Sequence, residues 1–160
     1  MKNPVKIISE IINQSNRIVV FTGAGISTLS GIPDFRGTDG IWSKYKPIPY
    51  DEFITSREAR VESWRRKGAL YSELKKAQPN LSHRAVAYLK DKGLLKAVVT
   101  QNVDGLHQAS GIESESIIEL HGNATKAACV QCNKNFALQD VLDEFEVSKE
   151  PPLCDACGGF

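Results

Sequence analysis

The sequence predicts an α/β fold with a parallel sheet, followed by a small metal-braced module. Three observations carry this. A β-branched run, Arg17-Ile-Val-Val-Phe-Thr22, passes straight into Gly23-Ala-Gly25. A second apolar run, ending Ala97-Val-Val-Thr100, passes straight into the polar stretch Gln101-Asn-Val-Asp-Gly-Leu-His107. All four cysteines fall near the end, as Cys129-x-x-Cys132 and Cys154-x-x-Cys157. Short β-branched runs that end in glycine or polar loops read as strands buried on both faces, as in a parallel sheet.

The elements follow in order. Val5, Ile8, Ile11 and Ile12 recur at helical spacing, so residues about 4–14 read as an amphipathic helix. The first strand covers 17–22. From Thr38 to Tyr50 the chain carries Gly40, Pro47 and Pro49 and reads as irregular. Residues about 56–76 read as one or two charged helices carrying Trp64, Leu70 and Leu74. The basic stretch Arg57, Arg60, Arg65, Arg66 and Lys67, broken by Glu58 and Glu62, reads as a solvated helix face. Pro79-Asn80 breaks the pattern. Ser82 is the expected N-cap of a helix over about 83–91, with Ala85, Val86 and Leu89 on one face and Gly93 closing it. Strands at about 96–100 and 116–120 complete an order that suits parallel pairing. The composition changes after Thr125. The expected organisation is a sheet portion over 1–124, with a helical insertion at about 45–78, and a metal module over 125–160.

Composition limits the function classes. The chain has 160 residues, 20 Lys plus Arg and 19 Asp plus Glu, for a net charge of +1. That balance argues against a nucleic-acid partner held by bulk electrostatics. Lys2 and Lys6 interrupt the N-terminus, no signal-peptide pattern follows, and no apolar run approaches a membrane span. The expectation is a soluble, cytoplasmic protein with no membrane partner.

A C-x-x-C turn points two thiolates at one centre, and two such turns complete a closed tetrahedral Zn²⁺ site of the structural kind. The 21-residue spacing between the pairs is read as a ribbon loop, and Gly158-Gly159 as a tight turn. Two disulfides or a redox dithiol are the alternatives. A reducing compartment disfavours stable disulfides, and one redox pair needs no twin. With four thiolates the metal keeps no open position for water.

Gly23-Ala-Gly25-Ile-Ser27 permits a tight turn at a strand end, where phosphates can approach the backbone. Thr28 stands where a third glycine would complete the dinucleotide pattern. A plain strand-to-helix turn is the alternative. Gly31-Ile-Pro-Asp-Phe-Arg-Gly37 sets Asp34, Phe35 and Arg36 side by side between glycines, offering an acceptor, an apolar lid and a phosphate-pairing cation. The alternative there is a surface loop with an incidental ion pair.

Taken together, "GAGIS", "GIPDFRG", "TQNVDGLH", "ELHG" and the paired C-x-x-C stand in the order seen in sirtuins, the NAD-dependent protein deacylases. The sequence resembles that family over residues about 17–160. The resemblance implies a Rossmann-type NAD-binding domain and a zinc-ribbon module, with the active site in the cleft between them. It implies transfer of an acyl group from a substrate lysine to the ribose of NAD, with release of nicotinamide. On matching positions, Gly23, Ala24, Gly25 and Ser27 would lie near the diphosphate. Asp34, Phe35 and Arg36 would form the cofactor loop, with Phe35 shielding the reacting ribose carbon. Gln101 would bond the ribose beside nicotinamide, and Asn102 and Asp104 would hold and polarise the nicotinamide end. His121 would be the general base that takes a proton from a ribose hydroxyl. Cys129, Cys132, Cys154 and Cys157 would bind one structural Zn²⁺. His83 and His107 are expected to be structural, His83 near a helix start and His107 closing the strand-end loop.

Departures from the family pattern carry expectations of their own. Thr28-Leu29 replaces a common Ala-Glu, and Val103 a common Ile. Where desuccinylases of the family carry Tyr-x-x-Arg, this chain has Glu62-x-x-Arg65, which disfavours a succinyl-lysine substrate. Family members usually continue past the second cysteine pair, with a peptide-clamping strand, a second-ribose loop and an adenine pocket. This sequence stops at Phe160, so its sheet is expected to show an uncovered edge and an exposed apolar face. Mono-ADP-ribosyl transfer and a non-catalytic zinc- and NAD-binding remnant are the alternative functions.

Overall fold

The computed structural model describes residues 3–34, 40 and 46–160. These fall into two compact units, one holding 3–34 with 77–122, the other 46–76 with 123–160. The helical segment, an insertion in sequence, is therefore compact with the cysteine module.

In the first unit, α1 (Pro4–Gln14) precedes β1 (Ile18–Thr22). A 3-10 helix (Ala24–Ser30) follows at once. Later come the helix Leu81–Asp91, β2 (Leu95–Thr100), the single turn Leu106–Ala109 and β3 (Ile117–Glu119). The three strands form a parallel sheet in the order β1-β2-β3. Register sets Thr22 beside Thr100, and Thr100 beside Glu119, so the strands end in one row.

Val86 and Ala87 of the helix 81–91 pack with Val98, Ile112 and Ile117 on one face of the sheet. Val98 is wholly buried, a burial that stabilises by roughly 1.5–3 kcal/mol. Among the described residues, the other face stays largely open. Val19 is 59% exposed, Phe21 63% and Ile118 52%. The uncovered face expected from the sequence is present, and the reading of the first strand as buried on both faces is corrected: burial alternates along it. Nor does α1 bury any residue, for all its apolar spacing.

The expected N-cap is also corrected. Asn80, not Ser82, caps the helix 81–91: its Oδ1 accepts the N–H groups of Ser82 at 2.9 Å and His83 at 3.4 Å. The Pro79-Asn80 break is thus a helix start.

In the second unit, α2 (Tyr50–Thr55) and α3 (Arg57–Lys76) accompany an antiparallel pair, β4 (Lys126–Ala128) and β5 (Asn135–Ala137). For the full numbering, the helix 81–91 is α4, the turn 106–109 is α5 and the helix Leu138–Ser148 is α6. The presence of α6 corrects the loop expected between the cysteine pairs. Leu138, Leu142 and Phe145 recur at helical spacing, and all three are buried. The backbone of α3 comes close to α6 at Gly68, where an added Cβ would stand 3.6 Å from Leu142 Cδ2.

The basic stretch on α3 is only partly a solvated face. Arg65 and Arg66 both pair with Glu62, Arg65 Nε at 2.7 Å, and together they hold its carboxyl down to about 2. Arg57 pairs with Glu150. Arg60 instead turns inward: its guanidinium donates to the carbonyls of Phe53 and Ile54 and lies 3.9 Å over the Phe160 ring. Among the described residues, no helix is long and apolar enough to cross a membrane.

Candidate functional site

Open α/β sheets place ligands at the carboxyl ends of their strands. Here those ends carry a connected set of polar side chains. The Gly23 carbonyl accepts Asn102 Nδ2 at 3.1 Å and the Ile26 N–H at 3.1 Å. Asn102 Nδ2 also donates to Ser27 Oγ at 3.2 Å, and Ser27 Oγ donates to Asp104 Oδ2 at 2.7 Å. Asp104 Oδ1 accepts the Leu106 N–H at 2.9 Å. Gly105, between them, has φ +71°, a conformation that glycine adopts without strain. Residues from the β1 turn and the β2 end are thereby locked together.

Chemistry follows from which atoms are engaged. Both amide protons of Asn102 are used, so ligand contact by this side chain falls to Oδ1. Ser27 is fully buried, its hydroxyl engaged by Asn102 and Asp104. Ala24 is half-buried, Gly25 exposed and Asp34 half-buried. Gln101 is exposed, with its N–H on the Thr22 carbonyl at 3.0 Å. Phe35 and Arg36 lie outside the described residues.

His121 is exposed just past β3, and its Nδ1 lies 3.0 Å from the Gln101 carbonyl oxygen. A carbonyl only accepts, so Nδ1 carries the proton. Neutral His121 therefore holds its lone pair on Nε2, the arrangement a base needs. That tautomer follows from a backbone bond that no spacing rule reveals.

Beneath this cluster lie two threonines that the sequence did not single out. Thr22 Oγ1 donates to Thr100 Oγ1 at 2.9 Å and meets His107 Nε2 at 2.9 Å. Thr100 Oγ1 accepts the Asn102 N–H at 3.0 Å. Both threonines close an apolar run, the one signal that could have found them. His107 is buried behind the strand-end loop, as expected, and His83 is buried at the start of α4. Burial lowers both imidazoles below their ordinary value.

The chain matches the family model described as "Sir2 family" over residues 23–160. The chain belongs to the Sir2 family. Among Sir2 relatives, an NAD-dependent protein deacetylase of Rhodopseudomonas palustris is 45% identical over 157 residues, covering 98% of this chain and 62% of that one. One from Thermotoga maritima is 44% identical over 152 residues, covering 94% and 60%. A solved Sir2 complex with a p53 peptide and NAD+ superposes with a TM-score of 0.82 at 39% identity, over 99% of this chain and 62% of that one. A solved Sir2 bound to acetylated peptide gives 0.81 at 38% identity, over 99% and 61%. The chain thus spans about three fifths of the length of these Sir2 proteins.

The four cysteines form a potential structural metal site. Their sulfur atoms all lie within 4.8 Å of one another, with Cys129–Cys157 and Cys132–Cys154 at 3.6 Å. That is too long for a disulfide. It suits a tetrahedral zinc, whose ~2.3 Å bonds set sulfurs about 3.8 Å apart. The donor set also asks for a cation. Backbone N–H groups of Cys132 and Gln131 bring Cys129 down to about 7. The Gly159 N–H pulls on Cys157, yet the crowding thiols of Cys132 and Cys129 push it up to about 12. Four thiolates this close need a positive centre to ionise together. The chain turns tightly here: Gly158 has φ +70°, and Cys154 N–H bonds the Gly159 carbonyl at 2.6 Å.

Proposed function

We propose that this Sir2-family chain serves NAD-dependent removal of an acyl group from a protein lysine, with the acyl group passing to the ribose and nicotinamide leaving. The observation that carries this reading is the His121 tautomer, with Nδ1 on the carbonyl of Gln101, the residue directly before Asn102 of the strand-end amide and carboxylate set. The names of the relatives and the NAD+ and acetylated-peptide complexes of the solved neighbours support it.

In this reading Asn102, through Oδ1, and Asp104 hold the nicotinamide end. Gln101 bonds the adjoining ribose. His121 Nε2 takes the ribose hydroxyl proton as the oxygen attacks the acyl carbon, and Nδ1 stays bonded to the Gln101 carbonyl throughout. Gly23, Ala24, Gly25 and Ser27 shape the turn beneath the diphosphate, with Asp34, Phe35 and Arg36 as the covering loop. One Zn²⁺ on Cys129, Cys132, Cys154 and Cys157 braces the ribbon and takes no part in the chemistry. Cysteines that hold a metal and form no disulfide suit a reducing cytoplasmic setting. Arg65 is paired with Glu62, which speaks against recognition of an acidic acyl group.

Incubating the protein with NAD and an acetyl-lysine peptide tests the reaction class. Nicotinamide release that depends on the acetylated peptide is expected. Release without that peptide, with ADP-ribose label left on protein, would replace the deacylase reading with mono-ADP-ribosyl transfer.

A further inference from the structure

Beneath the strand ends, buried hydrogen bonds run from His107 through Thr22 and Thr100 to the Asn102 N–H, with His83 packed against His107. His83 Nδ1 faces the Asn80 N–H at 3.4 Å. An N–H needs an acceptor, so His83 carries its proton on Nε2. That Nε2 is buried and, among the described residues, has no partner; the same is true of Nδ1 of His107. The two rings are edge to face, with centroids 5.1 Å apart. One bare donor and one bare acceptor are complementary if His107 is protonated on Nε2. His107 Nε2–H then donates to Thr22 Oγ1, Thr22 donates to Thr100 Oγ1, and Thr100 Oγ1 also accepts the Asn102 N–H. The opposite His107 tautomer would leave two buried N–H donors, on His83 Nε2 and His107 Nδ1, each without an acceptor, a more costly arrangement.

We infer that His107, Thr22 and Thr100, with the His83 ring packed edge to face on His107, form a positioning relay that fixes the backbone of Asn102 from below. None of the four is assigned a ligand contact in the proposed reaction. Asn80 extends the relay sideways: its Nδ2 donates to the Ile26 carbonyl at 2.7 Å and to Ser30 Oγ at 3.0 Å. The start of α4 is thereby tied to the turn after β1. The relay holds Asn102 by its N–H, and the cluster above holds it by its side chain. Losing one hydroxyl frees the strand-end turn without touching a group that meets the ligand. The consequence for NAD rests on the function proposed above; the relay itself does not.

The chain has three histidines, so ring nitrogen NMR reads the relay directly. Long-range ¹H–¹⁵N correlation on the zinc-loaded protein near neutral pH should show His83 and His107 protonated on Nε2. His121 should show the opposite tautomer, protonated on Nδ1. His107 protonated on Nδ1, or found as imidazolium, would overturn the relay. Thr100→Val should then shift the Asn102 amide and the His107 ring signals and weaken NAD binding about tenfold, the worth of one hydrogen bond and the group it leaves unpaired. Thr100→Ser, which keeps the hydroxyl, should restore both. If Thr100→Val lowers the melting temperature yet leaves the Asn102 amide and NAD affinity unchanged, the threonine is merely structural and the positioning role fails. If the unaltered protein does not bind NAD, the proposed function fails, and the tautomers and the Asn102 amide still decide the relay.

Discussion

His83 and His107 are folded into a space that suits them only when neutral. Burial lowers both pKa values, outweighing the opposing pull of the Asp104 charge. In the unfolded chain each titrates near 6.5. Below that pH the unfolded chain binds protons that the folded chain refuses, so stability falls as pH drops. Above about pH 7 both states hold neutral rings and the effect vanishes. Chemical denaturation at pH 7.5 and 5.5 should therefore show lower stability at 5.5. His107→Gln should flatten that dependence, and an unchanged slope would contradict the account of the buried pair. At this scale the sequence was legible in residue type and place: Asn102, Asp104 and His121 stand out as polar groups at strand ends. Thr22 and Thr100 did not stand out. Their hydroxyls meet only because parallel register sets the two strand ends side by side, a pairing that neither strand shows alone.

Among the elements, the parallel strands and α1 lie where apolar spacing puts them. Two readings failed for local reasons. The Pro79-Asn80 break hid a cap, because a proline ahead of an asparagine marks a helix start as well as a stop. The spacing between the cysteine pairs hid α6, because it was read by length and not by the Leu138, Leu142, Phe145 recurrence. The helix matters to the metal site: α6 packs on both ribbon strands, between the two cysteine pairs. With zinc as proposed on the four cysteines, metal binding and ribbon folding would be one event. Elemental analysis should find one zinc per chain, and a strong chelator should remove it together with the amide dispersion of residues 126–160. Full dispersion in the metal-free protein would contradict a structural role for the ion.

At the largest scale, the first unit gathers polar chemistry at one end of its sheet, and among the described residues one apolar face stays exposed. Phe21, Val99 and Ile118 stand in one row across β1, β2 and β3, and Phe21 and Ile118 are more than half exposed. That face was not legible strand by strand, since each strand alone reads as buried. The candidate site's residue types were legible in the sequence, but not their protonation states. The proton on His121 Nδ1 is set by the Gln101 carbonyl, twenty residues away in the chain. The account depends on that tautomer making Nε2 the acceptor of the ribose proton. Acetyl-peptide-dependent turnover of the His121→Ala protein, compared with the unaltered one at equal zinc content, tests this most directly. A loss of about a hundredfold or more is the predicted result. Turnover within a fewfold of the unaltered protein would mean that another group takes the proton.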